Sequence, residues 1–154
     1  MSKILRDWRA ALTAIGLSVL LGSCSLFGGG ADNPMDSLRD AIRDTVADVE
    51  RADSMIESVD EMEAIMVEGA RQLADAVRQQ RQLFADYDST PQDFERLAEQ
   101  WAPSRDGMQD SLVSLHQQFK AKATPDEWQS LSPAERSAVT SRAQMLTREV
   151  LSQR

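Results

Sequence analysis

The chain has 154 residues, of which 25 are acidic and 17 are basic, and its formal net charge is −8. An acidic surface repels polyanions, which argues against nucleic acid and anionic lipid head groups as partners. Cys24 is the only cysteine, which excludes an internal disulfide, and His116 is the only histidine, which excludes a multi-histidine metal site. The length suits one domain with a modest core.

The first 23 residues have the pattern of an export signal. Lys3, Arg6 and Arg9 form a basic region, and the mostly apolar run 10–21 follows it. This run is too short to span a bilayer, which takes about 20 apolar residues, so a retained transmembrane anchor fits less well than a cleaved signal peptide covering residues 1–23.

The end of this segment resembles the bacterial lipobox, a Leu three residues before a Cys with small residues between them. The matching residues are Leu21, Gly22, Ser23 and Cys24. The resemblance implies cleavage before Cys24, which then carries diacylglyceryl and N-acyl chains. Ser25 in the next position implies sorting to the outer membrane. Several acyl chains are sufficient for stable membrane anchoring.

Residues 24–33 are rich in Gly, Ser, Asn and Asp, a composition that predicts a flexible, lipid-anchored tether before a helical domain at 34–154. Residues 1–23 hold three basic residues and one acidic residue, so the mature chain keeps 14 basic and 24 acidic residues, a net charge of −10. Asn33 followed by a proline is a typical helix start.

A heptad pattern runs from Met35 to Tyr87 without losing register, and 13 of its 16 core positions are apolar or aromatic. This pattern predicts one continuous coiled-coil helix. The alternative is a break at 58–61, where Ser-Val-Asp-Glu matches a capping box. The core positions are Met35, Leu38, Ile42, Thr45, Val49, Ala52, Ile56, Val59, Glu63, Met66, Ala70, Leu73, Val77, Gln80, Phe84 and Tyr87.

A second helix is predicted to begin at Thr90, with proline at its first position, after a short link that favours an antiparallel neighbour. Its apolar stripe has helical spacing over residues 94–119. Pro103 predicts a kink near Ala102, or a break with a restart at Ser104.

Two further capping patterns follow. Thr124 opens a short turn predicted to end near Leu131, and Ser132 opens a last helix. The predicted buried face of that helix consists of Val139, Ala143, Leu146 and Val150. The sequence therefore predicts an all-α fold, in which a long coiled-coil helix packs against shorter antiparallel helices in a three- or four-helix bundle.

Residues 131–136, Leu-Ser-Pro-Ala-Glu-Arg, resemble the Leu-Thr-x-x-Gln motif of the Spy and CpxP periplasmic proteins, which are small and all-helical and cradle unfolded clients. Ser132 stands in place of the Thr and Glu135 in place of the Gln. The resemblance implies a client-binding surface, although a helix start explains the same residues.

The sequence has no glycine-rich phosphate loop and no nucleophile motif, so we expect no enzymatic activity, no catalytic residue, no cofactor and no metal site. His116 is expected to be solvated or hydrogen-bonded, and the acidic run 60–63 is interpreted as solvated helix charge. Trp101 and Trp128 are interpreted as core anchors.

Comparison of helix lengths predicts an interaction surface. A continuous helix of 53 residues from Met35 to Tyr87 would be about 80 Å long, whereas the second helix reaches only about 48 Å. We therefore expect an exposed stripe within residues 35–56 that pairs with a second copy or with another envelope protein. The alternative folds this segment back as a fourth helix. The predicted interaction surface comprises Met35, Leu38, Ile42, Val49, Met55, Met62 and Met66.

Together these features predict a lipoprotein of the outer membrane, with a periplasmic helical body that acts as a non-catalytic interaction or scaffold protein in the cell envelope. The alternative is a chaperone, or an envelope-stress or metal-responsive protein, that binds clients on a methionine and aromatic helical surface. Methionine sulfur also binds copper(I), although helix packing explains the same stripe.

Overall fold

The structure is a computed structural model that describes residues 33–152, and it confirms the all-α fold. These residues fall in one compact unit and contain no β-strand. They form four helices: α1 (Pro34–Thr45), α2 (Val49–Ala85), α3 (Pro91–Lys122) and α4 (Pro125–Ser152).

The direction of each helix follows from its polar contacts with α2, the longest helix. Asn33 at the start of α1 bonds to Glu63, so α1 runs antiparallel to α2. Lys122 at the end of α3 bonds to Ser54, so α3 is also antiparallel to α2. Glu127 and Arg142 of α4 pair with Arg51 and Glu63 respectively, so α4 runs in the same direction as α2.

All four helices meet around the first half of α2, where the hydrophobic core lies. Phe119 of α3 and Leu131 of α4 are fully buried there, in one cluster with side chains of α1 and α2. The core comprises Met35, Leu38, Ile42, Val46, Ala52, Met55, Val59, Met62, Leu115, Phe119, Leu131 and Ala138. Beyond this region α2 and α3 continue as an antiparallel pair, which we call the α2–α3 hairpin.

The prediction of one continuous helix from Met35 to Tyr87 is wrong, and so is the alternative break at 58–61. The chain leaves helical geometry at Val46 and re-enters it after Asp48, whose side chain accepts a hydrogen bond from the Arg51 backbone N–H at 2.9 Å. The heptad register continues across this break because both α1 and α2 pack their apolar faces against the same core. Burial of the α1 stripe favours the break, since a straight helix would leave that stripe in water.

The predicted helix starts at Asn33, Thr90 and Thr124 are confirmed. Asn33 Oδ1 accepts from the Met35 backbone N–H at 3.2 Å. Thr90 and Asp93 form a capping box, and the Thr124 backbone N–H donates to Glu127 Oε2 at 2.8 Å. These contacts satisfy backbone donors that a helix cannot satisfy itself.

The predicted interruptions at Pro103 and Pro133 are not breaks. Helix α3 runs through Pro103, and α4 runs through Pro133, so the predicted last helix begins eight residues earlier, at Pro125. Both prolines are exposed, and the helix continues past each of them despite the missing backbone donor. The predicted face of α4 is partly confirmed: Leu146 and Val150 are buried and Val139 is half-buried, but Ala143 is exposed.

Candidate interaction surface

The residues that the sequence proposed as an interaction surface lie in the interior, except for one. Val49 is 71% exposed at the first position of α2. The other six are buried: Met35, Leu38, Ile42, Met55, Met62 and Met66. The expected exposure of residues 35–56 is therefore wrong, because α1 folds back and covers this stripe within the chain, as the four-helix alternative required.

Glu63, the charged residue among the heptad core positions, connects three helices. Its Oε1 accepts hydrogen bonds from Asn33 Nδ2 at 2.7 Å and lies 3.0 Å from Arg142 Nη2, while its Oε2 accepts from Arg39 at 2.8 Å. Burial alone would raise the pKa of Glu63, but the hydrogen bonds from Arg39 and Asn33 and the charge of Arg142 lower it. This half-buried carboxylate therefore stays ionised and fixes α1 and α4 against α2.

His116 lies at a cleft of about 250 Å³ between α3 and α4, floored by Met62. Its Nδ1 is 2.8 Å from Oε1 of the buried Glu135, and its ring contacts the edge of Trp128 at a centroid distance of 5.6 Å. The expectation of a hydrogen-bonded histidine is confirmed. The motif 131–136 contributes Ser132, Glu135 and Arg136 to this cleft, so it lies within α4 and not at a helix start.

The α2–α3 hairpin differs from the core in how little it buries. In α3 the buried residues are Leu115 and Phe119, both in its last third, and in α2 the only buried residue after Met66 is Ala74. We call the line along which α2 and α3 face each other in the hairpin the seam. Other apolar side chains along it are half-exposed, among them Leu73, Val77, Leu83, Leu97, Trp101 and Met108. Trp101 therefore anchors the seam only partly, whereas Trp128 packs against the core.

Close approach of the two hairpin helices depends on Gly69. A Cβ at this position would overlap the Met108 Sδ atom, so the absence of a side chain lets α3 lie directly on α2. Gln72 and Ser104 form a hydrogen bond one turn farther along. The seam is therefore well fitted between α2 and α3 although it is open to solvent on its sides.

The hairpin ends in exposed aromatic side chains, a feature that the heptad analysis interpreted as core. Phe84 is 73% exposed and Tyr87 is fully exposed, and Phe84 packs on Phe94 of α3 with ring centroids 4.9 Å apart. Hydrogen bonds close the link: Asp86 Oδ1 accepts from the Asp88 backbone N–H at 3.0 Å, and the capping box starts α3. We call residues 83–97 the hairpin end.

The described part of the chain contains neither a metal-binding cluster nor a membrane-spanning helix. Within residues 33–152, no group of three His, Cys, Asp or Glu side chains is placed to hold a metal ion. No helix in the same range is long and apolar enough to cross a bilayer. The predicted lipidation site Cys24 and the cleavage residues Leu21, Gly22 and Ser23 lie outside the described residues.

Comparison with known protein families, with curated proteins and with solved structures finds no match for this chain.

Proposed function

We propose that this chain is a lipoprotein of the outer membrane, anchored through Cys24, whose periplasmic body acts as a non-catalytic scaffold. We further propose that it binds another envelope protein through the α2–α3 hairpin. The observation that carries the second part is the exposed pair Phe84 and Tyr87 at the end of a hairpin that buries little of its own seam. Exposed aromatic residues grouped in this way are typical of protein interaction sites.

The geometry of the hairpin supports this role. Asn33, where the tether joins the body, bonds to Glu63, and 22 residues of α2 separate Glu63 from Ala85. At 1.5 Å per residue the hairpin end stands about 33 Å from that point. A hairpin of this length can reach a partner without any movement of the four-helix core.

The alternative function, a chaperone or a stress- or metal-responsive protein, has less support. It relies on a methionine and aromatic helical surface that clients or copper(I) can reach, and the methionines Met35, Met55, Met62 and Met66 are all buried. Binding through these side chains would require the core to open, which costs much of the stability of the domain.

Copurification from envelope membranes tests the proposal. We expect the full chain to retain one partner in a near-stoichiometric amount, and we expect Phe84→Ser combined with Tyr87→Ser to lose it. Val113→Ser is the matched control, because Val113 is half-exposed on α3 away from the hairpin end. Recovery of many substoichiometric proteins, unchanged by the Phe84 and Tyr87 substitutions, would contradict the scaffold and favour the chaperone.

A further inference from the structure

The hairpin end combines exposed rings with acidic side chains. Residues 83–97 contain four acidic residues, Asp86, Asp88, Asp93 and Glu95, and one basic residue, Arg96, a net charge of −3. Counting Arg81, one turn before Phe84, still leaves −2. Arg96 already pairs with Asp93 at 2.5 Å, and Asp93 also caps α3. The exposed carboxylates of Asp86, Asp88 and Glu95 therefore dominate the charge around Phe84 and Tyr87.

This combination has a specific chemical complement. A guanidinium or ammonium group is attracted to the face of an aromatic ring, and a neighbouring carboxylate adds an ion pair to the same group. Tyr87 lies between Asp86 and Asp88 in the sequence, and all three side chains are exposed, so a ring and two carboxylates share one short segment that faces solvent. Arginine suits such a site better than lysine, because its planar group stacks on the ring while its N–H groups reach the carboxylates.

We infer that the hairpin end recognises a basic, arginine-containing segment of a partner protein. The inference rests on the proposed scaffold function and names the chemistry of its partner. The capping box, the Asp86 contact and the packing of Phe84 on Phe94 hold the site in shape before binding. Little ordering of the hairpin end is therefore needed when the partner docks.

A lipid surface is the other occupant that exposed aromatic residues suggest, since such rings also enter the membrane interface. The charge argues against it. Anionic head groups attract basic segments and repel the carboxylates of Asp86, Asp88 and Glu95. A basic protein segment interacts favourably with both the rings and the carboxylates, whereas a bilayer interacts favourably only with the rings.

Photo-crosslinking in cells tests this inference with the full, membrane-anchored chain. The probe is benzoylphenylalanine in place of Tyr87, which keeps an aromatic ring at that position. A control variant carries the same probe in place of Gln144, an exposed residue of α4. We expect the probe at Tyr87 to capture protein segments that are net positive and contain arginine, and the probe at Gln144 not to capture them. Mass spectrometry of the crosslinked peptides gives their charge.

The dependence on charge is tested in the same chains. Asp86→Asn, Asp88→Asn and Glu95→Gln together keep the side-chain shapes, and we expect them to lower the yield at Tyr87 about fivefold or more at low salt. The matched control removes three charges elsewhere. It consists of Asp53→Asn, Glu57→Gln and Asp110→Asn, all exposed, and should leave the yield unchanged.

Four results would overturn the inference. Capture of neutral or acidic protein segments, or a yield that ignores the three hairpin-end charges, would refute the basic partner and leave the scaffold function standing. Crosslinks to lipid in place of protein would assign the rings to a membrane. An absence of crosslinks at Tyr87 would refute the inference. If one partner also copurifies unchanged after the Phe84 and Tyr87 substitutions, binding through the hairpin is refuted as well, and the scaffold uses another surface.

Discussion

Phe84 and Phe94 face each other across the end of the α2–α3 hairpin, with ring centroids 4.9 Å apart and an interplanar angle of 52°. Tilted aromatic pairs of this kind contribute stability beyond the area they bury. The contact joins α2 and α3 near the link that connects them, and it leaves most of Phe84 exposed.

The first prediction concerns this ring pair. In a double-mutant cycle with Phe84→Ala and Phe94→Ala, we expect a coupling energy of about 0.5–1 kcal/mol in the free energy of unfolding. Denaturant unfolding of the body, residues 31–154, provides the measurement. The control cycle combines Phe94→Ala with Val113→Ala, which lie far apart on α3, and should give no coupling. Equal coupling in both cycles would contradict a specific ring contact.

The second prediction concerns the close approach at Gly69. Gly107→Ala should raise the free energy of unfolding by about 0.5–1 kcal/mol, because alanine favours the helix and nothing lies near the new Cβ. Gly69→Ala should give a smaller gain or a loss, because Met108 must move away. In a Met108→Ala background, Gly69→Ala should recover the full gain. If Gly69→Ala and Gly107→Ala stabilise the wild-type chain equally, the two helices are not in close contact there.

The third prediction concerns Glu63, whose side chain is 15% exposed and binds Arg39, Asn33 and Arg142. Glu63→Gln should lower the free energy of unfolding by about 2 kcal/mol, because two arginines lose their shared carboxylate in a half-buried site. Asp40→Asn breaks an exposed ion pair with Arg43 and should cost less than about 0.5 kcal/mol. If thermal unfolding shows equal losses of stability for Glu63→Gln and Asp40→Asn, a structural role for Glu63 is contradicted.

The fourth prediction concerns pH. The Arg51 guanidinium donates to both carboxylate oxygens of Glu127, at 2.5 and 2.9 Å, and with the Thr124 backbone N–H it lowers the pKa of Glu127 from 4.5 to about 2. Because the folded pKa lies below the unfolded one, the folded state holds fewer protons. The stabilisation is therefore complete above about pH 4.5 and disappears as the pH falls toward 2.

We expect Glu127→Gln to lower the denaturant midpoint at pH 6, and we expect the difference from wild type to shrink steadily between pH 4.5 and pH 2. Glu99→Gln, at an exposed position of α3, controls for the loss of one charge and should have little effect at either pH. A Glu127→Gln deficit that stays constant from pH 6 to pH 2 would mean that the ion pair with Arg51 does not form.

Features with a local cause were predictable from the sequence, whereas features with a non-local cause were not. The starts at Asn33, Thr90 and Thr124 were predictable, because a cap is made by residues within four positions of one another. The break at 46–48 was not, since no Gly or Pro marks it and its cause is the burial of α1 against helices distant in the sequence. The continuation of α3 and α4 through Pro103 and Pro133 was not predictable either, since the intrinsic cost of proline within a helix favours an interruption.

The interaction surface shows the same division. The prediction that one long helix outruns its partners was wrong, because that helix ends at Thr45 and the shorter α2 has α3 beside it. The exposed aromatic residues lie at the hairpin end instead of within residues 35–56. Phe84 and Tyr87 occupy heptad positions, and periodicity alone does not distinguish a buried aromatic residue from an exposed one. The adjacent acidic residues Asp86 and Asp88 were the available sign that this end of the pattern faces water.

The membrane anchor is the part of the proposal on which the envelope partner depends, and replacement of Cys24 tests it most directly. The measurement is the outer-membrane fraction of wild type and Cys24→Ser, together with the mass of each N-terminal peptide. We predict a cleaved, acylated Cys24 in wild-type outer membranes, and a soluble body or an uncleaved precursor for Cys24→Ser, because this thiol is the only lipid acceptor. A processed Cys24→Ser chain that remains in the outer-membrane fraction would contradict the lipoprotein proposal.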